Sequence, residues 1–269
     1  MMNRMLSCLL EIEPSLRNST ESVWLKGGQL IHHTDREADH VFFPEGCILA
    51  MTAKNARGKW TDVWLSGREG LFGATALLVD VRHPFRSQVR ASGHAWRFKQ
   101  SVLANLLQQS AASRNLLQRY SSFVLVQTAQ VGLCNAAHSL DERIRRYLLF
   151  AHWLSGLRNL QLTHSLIADG LGVHRPSVTR CLHQLEDGGG LSLERSSIAI
   201  HDRSKLERGA CPCCKTFLAH YERLFAAPSP SAVSNEAVAL SSFEADSGKQ
   251  AGVPLASSSV DDRDRRRLP

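Results

Sequence analysis

The sequence predicts an α+β chain: a β-rich amino-terminal domain, then a long helix, then a winged helix-turn-helix. Three observations carry this expectation. Between Val23 and about Lys99, short β-prone runs are separated by glycine turns at roughly 8–12-residue intervals, the texture of a sandwich or small barrel. From Asn115 to Ala137 apolar residues recur at steps of three and four with almost no charge in the middle, the period of a helix. From Leu162 to Leu185 the text LTHSLIADGLGVHRPSVTRCLHQL places two short apolar-periodic stretches about a central glycine, the pattern of two helices joined by a tight turn.

At 269 residues the chain has room for two domains, each typically ~100–150 residues. The net charge of +7 permits nucleic-acid binding without establishing it. From Gln161 to Phe225 eight Lys/Arg face seven Asp/Glu, so recognition there depends on placed side chains rather than bulk charge. No apolar run reaches the ~18 residues a membrane span needs. The start, MMNRMLSCLLEIEP, meets Glu11 and Glu13 at once and offers no small-residue cleavage site, so a cytoplasmic protein is expected. Seven cysteines, an odd number scattered through the chain, fit reduced thiols better than a disulfide framework.

Taken in order, residues 1–22 form a helical lead-in, with Met5, Leu6, Leu9 and Leu10 on one face and Pro14 stopping the run. Residues 23–112 carry the β-prone runs VWLKGGQLI, DHVFFPEGCILAMTA, KWTDVWLSG and SQVRASGHAWRF. Residues 113–138 form the long helix. Leu116, Tyr120, Phe123, Gln127, Gln130 and Cys134 line one side of it, and apolar residues also occupy the other. The economical assignment buries one side on the β-domain and the other on the same helix of a second chain; the alternative buries both within one monomer.

Residues 139–225 hold the reader. The run DERIRRYLLFAHWL is a helix with Ile144, Tyr147, Leu148 and Ala151 inward, Arg143, Arg145 and Arg146 mostly outward, and Gly156 at its end. Ile167, Leu171, Val173, Val178 and Cys181 form the inward set of the two-helix motif. Ala168 allows close approach, Gly172 supplies the positive φ of the turn, and Thr163 suits the N-cap. The second helix, 174–187, has Pro176 in its first turn, where a missing N–H costs little. The residues expected to touch bases are His174, Arg175, Pro176, Thr179 and Arg180, the two guanidinium forks being able to bridge guanine edges. Thr163, Ser177, His183 and Arg195 are expected to hold the DNA backbone. LSLERSSIAIHD reads as two wing strands about Glu194–Ser197, and Leu206 to Phe225 as one closing helix. Residues 226–269, rich in Ser, Ala, Pro and Asp, read as a solvated, disordered tail.

With these parts in place, VFFPEG at Val41–Gly46, GREG at Gly67–Gly70 followed by Gly73, GVHRPSVTRCLHQLE, and IAIHDRSKLERGACPCC at Ile198–Cys214 make the chain resemble the Crp/Fnr family of bacterial transcription regulators. The likeness runs from about Val23 to Phe225. It implies a β-roll sensor domain like that of cyclic-nucleotide-binding proteins, a dimerisation helix, and a winged helix-turn-helix reader of double-stranded promoter DNA. By position Arg175 and Arg180 match the family's base-contacting pair, whereas Pro176 stands where many members place an acidic residue. Ala74 follows Gly73 where nucleotide-binding members carry a carboxylate, and Arg82 or Arg86 alone makes no cradle. Iron–sulfur members carry an amino-terminal cysteine cluster, and here only Cys8 lies near the start, with Cys47 far downstream. No cofactor is expected. Gly190 and Ser196 depart from the family's wing and predict a looser one.

Cys211, Cys213 and Cys214 with His220 lack the two-residue spacing and second knuckle of a zinc site, so no metal is assigned, and their redox or metal role is left open. His32 and His33, adjacent on one strand, point to opposite faces, so they and His40 are taken as surface residues. The sequence therefore predicts a non-enzymatic homodimer that reads an inverted repeat and contacts RNA polymerase, its effector unassigned. The rival reading is a β-barrel sensor or cupin-like metal enzyme whose helices only mediate oligomerisation.

Overall fold

The computed structural model describes residues 3–34, 39–54, 58–74, 77 and 85–226. Helix α1 (Arg4–Ile12) opens at Asn3, whose Oδ1 accepts from Leu6 N at 3.0 Å. The Asn3 amide donates to the carbonyls of Pro44, Gly67 and Gly70 at 3.0, 3.2 and 2.7 Å, fastening the helix to the β-domain. Met5, Leu6, Leu9 and Leu10 enter the core as their period predicts, and a 3-10 turn begins at Pro14.

The strands β1 (Glu21–Leu25), β2 (Leu30–His32), β3 (His40–Glu45), β4 (Ile48–Lys54), β5 (Trp60–Ser66), β6 (Arg86–Ala91) and β7 (Gly93–Lys99) form two antiparallel sheets. Their orders are β1-β7-β3 and β2-β6-β4-β5. β3 lies at an edge, which is why Pro44 is tolerated within it: a residue without an N–H costs no ladder bond on the open side. Phe43, Phe98, Ile48, Leu49 and Val89 fill one core between the sheets. His33 is exposed, as expected, but His32 is half-buried beside Phe42, and burial pushes its imidazole down to about 4. Arg86 stacks 4.3 Å over the Trp60 ring and donates to Thr52 Oγ1, so it is engaged on the sheet. Arg82 lies outside the described residues, as do residues 227–269, which the sequence assigns to the tail.

β7 runs directly into α2 (Gln100–Gln109), and Ser110 caps α3 (Ala111–Ala137) by accepting from Ser113 N at 3.2 Å. Leu116, Tyr120, Phe123, Gln127 and Cys134 are buried along one side of α3; on the other, Leu125 and Leu133 are 71% and 59% exposed. Tyr120 Oη donates to Leu71 O at 2.8 Å, and a Cβ added at Gly70 would fall 2.1 Å from that hydroxyl. The GREG turn thus owes its second glycine to the seating of α3.

α4 (Leu140–Ser155) starts with a capping box between Ser139 and Glu142 and ends at Gly156 with φ 71°. Ile144, Tyr147, Leu148 and Ala151 face inward as expected. The three arginines do not mostly face out: Arg146 is 9% exposed, Arg143 donates to Leu171 O at 2.9 Å, and Arg145 is half-buried against Asp141. α4 has neighbours on more than one side, so its polar stripe is covered as well. The closing segment is likewise not one helix. α7 (Arg203–Glu207) and α8 (Cys213–Phe225) are separated by a bend, because Pro212 lacks an N–H and restrains Cys211 from helical geometry. Phe217 of α8 packs edge-on to Phe150 at 4.1 Å and Trp153 at 4.9 Å.

Between the β-domain and the helices lies a buried polar joint. Arg90 Nε donates to both oxygens of Asp62 at 2.9 and 3.0 Å, Arg90 Nη1 donates to Gln88 Oε1 at 2.9 Å, and Tyr147 Oη reaches Asp62 Oδ2 at 3.4 Å. Strands β5 and β6 are thereby tied to α4.

Candidate nucleic-acid interface

α5 (His164–Leu171) begins at Thr163, whose Oγ1 accepts from Leu166 N at 3.2 Å. It stops at Gly172, φ +69°, where the chain turns left-handed and Val173 N reaches back to Ala168 O at 3.0 Å. α6 (Arg175–Asp187) follows with Pro176 in its first turn. Ile167, Ala168, Leu171 and Val178 pack inward as expected. Leu182 and Leu185 are fully engaged in the core, while Val173 and Cys181 are only half-buried, so the leucines take the place the sequence reading gave Cys181.

α5 also leans on the β-domain. A Cβ at Gly170 would fall 2.4 Å from Asp62 Oδ2 and 3.1 Å from the Tyr147 hydroxyl. Only glycine lets the helix approach the polar joint this closely. Sequence reasoning passed over Gly170, because Asp62 is far away along the chain.

On the outer side of α6, His174, Arg175, Pro176, Arg180 and His183 are exposed, with Ser177 half-buried among them. Thr179 differs: its hydroxyl lies 3.0 Å from His164 Nδ1 and bridges the two helices. Burial first, then the neighbouring His183 and the Arg175 charge, holds the His164 imidazole below its usual range. Among the described residues neither Arg175 nor Arg180 meets a carboxylate, whereas Arg90, Arg97, Arg145 and Arg203 each do. Gln184, one turn beyond Arg180, exposes its amide beside this face; its position four residues after Arg180 was the available signal.

The wing is three-stranded, β8 (Asn159–Leu160), β10 (Ile198–Ile200) and β9 (Leu191–Leu193) in that order, the first strand being unforeseen. Glu186 of α6 accepts from Leu193 N at 2.8 Å. The tip is closed by Glu194 N to Ser197 O at 2.9 Å and Ser197 Oγ to Glu194 Oε2 at 2.7 Å, leaving Arg195 exposed. At the two positions from which the sequence predicts a looser wing, the structure places contacts. Leu206 Cδ1 sits where a Gly190 side chain would go, 3.2 Å from an added Cβ, and the Ser196 turn is hydrogen-bonded shut.

Cys211 and Cys213 do not meet His220 or gather around Cys214; they meet Cys134 and His138 at the end of α3. Cys214 turns instead toward Arg146 O, and burial pushes its thiol up to about 11.

The two-sheet β-domain is thus followed by a winged pair of helices whose outer face exposes Arg175 and Arg180, which meet no carboxylate among the described residues. Residues 142–209 match the family model of the Crp-like helix-turn-helix domain, so the chain carries a Crp-like helix-turn-helix domain. Its fold is shared by FixK2 from Bradyrhizobium japonicum, at 17% identity over 71% of this chain and 98% of that one, TM-score 0.58. A CRP-family transcriptional regulator of Thermus thermophilus is similar at 18% identity over 70% and 96% of the two chains, TM-score 0.58. A regulator assigned to the Crp/Fnr family from Eubacterium rectale ATCC 33656 is similar at 19% identity over 73% and 92%, TM-score 0.56. No curated protein matches the chain. Among the described residues no helix is long and apolar enough to cross a membrane.

Proposed function

We propose that the chain acts as a homodimer, placing two copies of α6 in successive major grooves about 34 Å apart on an inverted-repeat operator. The observation that carries this reading is the exposure of Arg175 and Arg180 on the outer face of α6 with no carboxylate partner among the described residues. His174, Arg175, Pro176 and Arg180 meet base edges, and Thr179 helps to aim them by holding α6 to α5. Thr163, Ser177, His183 and Arg195 hold the backbone and set the register. Residues 23–112 serve as sensor, 113–138 as dimerisation helix and 139–225 as reader. The protein works in the cytoplasm, catalyses no reaction, and contacts RNA polymerase from the operator.

Support for pairing comes from α3. Ser122, Leu125, Ala129, Gly132 and Ala136 are exposed and alternate by three and four, the spacing of a coiled-coil seam. Their small side chains let two backbones approach closely, with Leu125 as the main knob. The test is to sequence genomic fragments retained by the full-length protein. The expected result is an inverted repeat bound with steep salt dependence, reduced to half-site affinity by Leu125→Glu. Retention of fragments with no shared motif would overturn the reading.

A further inference from the structure

One side-chain cluster takes no part in reading DNA. Cys134 stands in the last turn of α3 and His138 caps that helix four residues on, while Cys211 lies in the bend before α8 and Cys213, on the other side of Pro212, opens α8. Cys134 Sγ lies 3.5 Å from Cys211 Sγ, and Cys213 Sγ lies 3.8 Å from His138 Nδ1. All four ligand atoms fall within 4.8 Å of one another. Around a tetrahedral ion with bonds of ~2.3 Å to sulfur and ~2.0 Å to nitrogen, neighbouring ligand atoms are roughly 3.5–3.8 Å apart. The sulfur–sulfur edge is the longer of these and the sulfur–nitrogen edge the shorter, and the two observed separations each lie within about 0.3 Å of the edge they would become.

We propose that this chain binds a zinc ion between Cys134, His138, Cys211 and Cys213, a closed site of three thiolates and one imidazole. The competing account is that the cysteines pack as small apolar residues. Three observations weigh against it. The three sulfurs form a buried group of their own, separate from the main apolar core. Gln130 Nε2 donates to Cys213 Sγ at 3.0 Å, the kind of outer contact that orients a thiolate ligand. Arg143 and Arg146, on the adjoining stretch of α4, each bury an Nε that has no hydrogen-bond partner among the described residues. Neutral thiols give those guanidiniums nothing to offset, whereas three thiolates and a divalent cation leave one negative charge.

The sequence offered Cys-x-Cys without a second knuckle. The fold supplies that knuckle as Cys134 and His138, spaced to share one side of a helix and brought in from 77 residues away. Binding releases the three thiol protons to solvent and involves no change of oxidation state. The ion would tie the end of α3 to the bend after the wing, across the joint at His138 and Ser139, so the reader keeps a fixed attitude to the pairing seam.

The test uses the full-length protein, purified under reductant, loaded with zinc and passed over chelating resin. The expected result is about one zinc per chain, and cobalt in its place gives tetrahedral d–d bands with thiolate charge transfer appropriate to three sulfurs. Cys211→Ser and Cys134→Ser lose the metal, Cys214→Ser and His220→Ala keep it, and Gln130→Ala binds it about ten-fold more weakly. Wild-type protein that retains less than about a tenth of an equivalent and shows no charge-transfer band overturns the proposal. A loss in Cys214→Ser as large as in Cys211→Ser overturns it too. The wild-type cobalt spectrum counts sulfur ligands by itself, so it decides the matter even if a cysteine variant does not fold.

Discussion

The joint between the β-domain and α4, and the outer face of α6, both depend on arginine, and they use it in opposite ways. At the joint Arg90 is fully buried and its donors are spent on Asp62 and Gln88. On α6, Arg175 and Arg180 are exposed and meet no carboxylate among the described residues. A buried charge must be compensated within the chain, because removing it from water costs several kcal/mol. An exposed fork is cheap to leave unpaired, so it can be kept for a partner. The first kind of arginine sets stability, and the second is the kind we propose for recognition.

The largest effect expected from breaking this contrast is at the joint. Arg90→Met leaves Asp62 buried without its cation and should cost about 3–5 kcal/mol in urea unfolding, most of it recovered when Asp62→Leu is added. A double variant as unstable as the single would show that the ion pair is not what matters there.

Glu69, fully buried in the GREG turn with Oε2 accepting from Gly67 N at 2.8 Å, gives an effect that reaches a similar size only at the upper end of its pH range. Burial pushes its carboxyl up from an ordinary 4.5 to about 8. Between those values the folded chain keeps a proton that the unfolded chain gives up, so stability is full at low pH and is lost as pH rises, by roughly 1.4 kcal/mol per unit. Glu69→Gln removes this slope. Its unfolding curve should meet that of the wild type near the lower value and lie above it at the upper one; parallel curves would disprove the buried acid.

Arg180→Ala should leave unfolding within about 0.5 kcal/mol of wild type, yet cost roughly 1–3 kcal/mol of operator binding and relax one base position. Unchanged operator affinity would mean that α6 is not the reader. The smallest effect belongs to Arg195→Ala at the wing tip. It should weaken all sequences alike and reduce the salt slope by about one, read from titrations at several salt concentrations.

What could be read from the sequence divides along the same line. The reader was legible because its constraints are local: Thr163, Ala168, Gly172 and Pro176 lie within a short window, and each answers to a backbone rule. The β-runs were legible from their turns. The joint was not, since Asp62 meets Arg90 and Tyr147 across 28 and 85 residues, and no period links them. Arg146 reads as a surface residue until the packing around α4 is known, and Gly170 reads as an ordinary helix glycine until β5 is in place. The Cys134–His138 pair lies on a helix whose other residues all read as packing. Thr179 was assigned to bases by its place on the helix, which says nothing of the imidazole that occupies its hydroxyl.

The contact between the ends of the described fold bears on how the chain is made. Arg4 of α1 lies 4.8 Å over the Phe225 ring at the end of α8, and Arg119 of α3 donates to Arg223 O at 3.1 Å and also to Leu224 O. During synthesis the β-sheets can close and α3 can seat on them while the reader is still in the ribosome. The first helix, however, cannot complete its packing until α8 has emerged. Until then the apolar flank of α3 that α8 covers stays open, so this protein is most exposed to mispairing between nascent chains in the interval between the wing and Phe225.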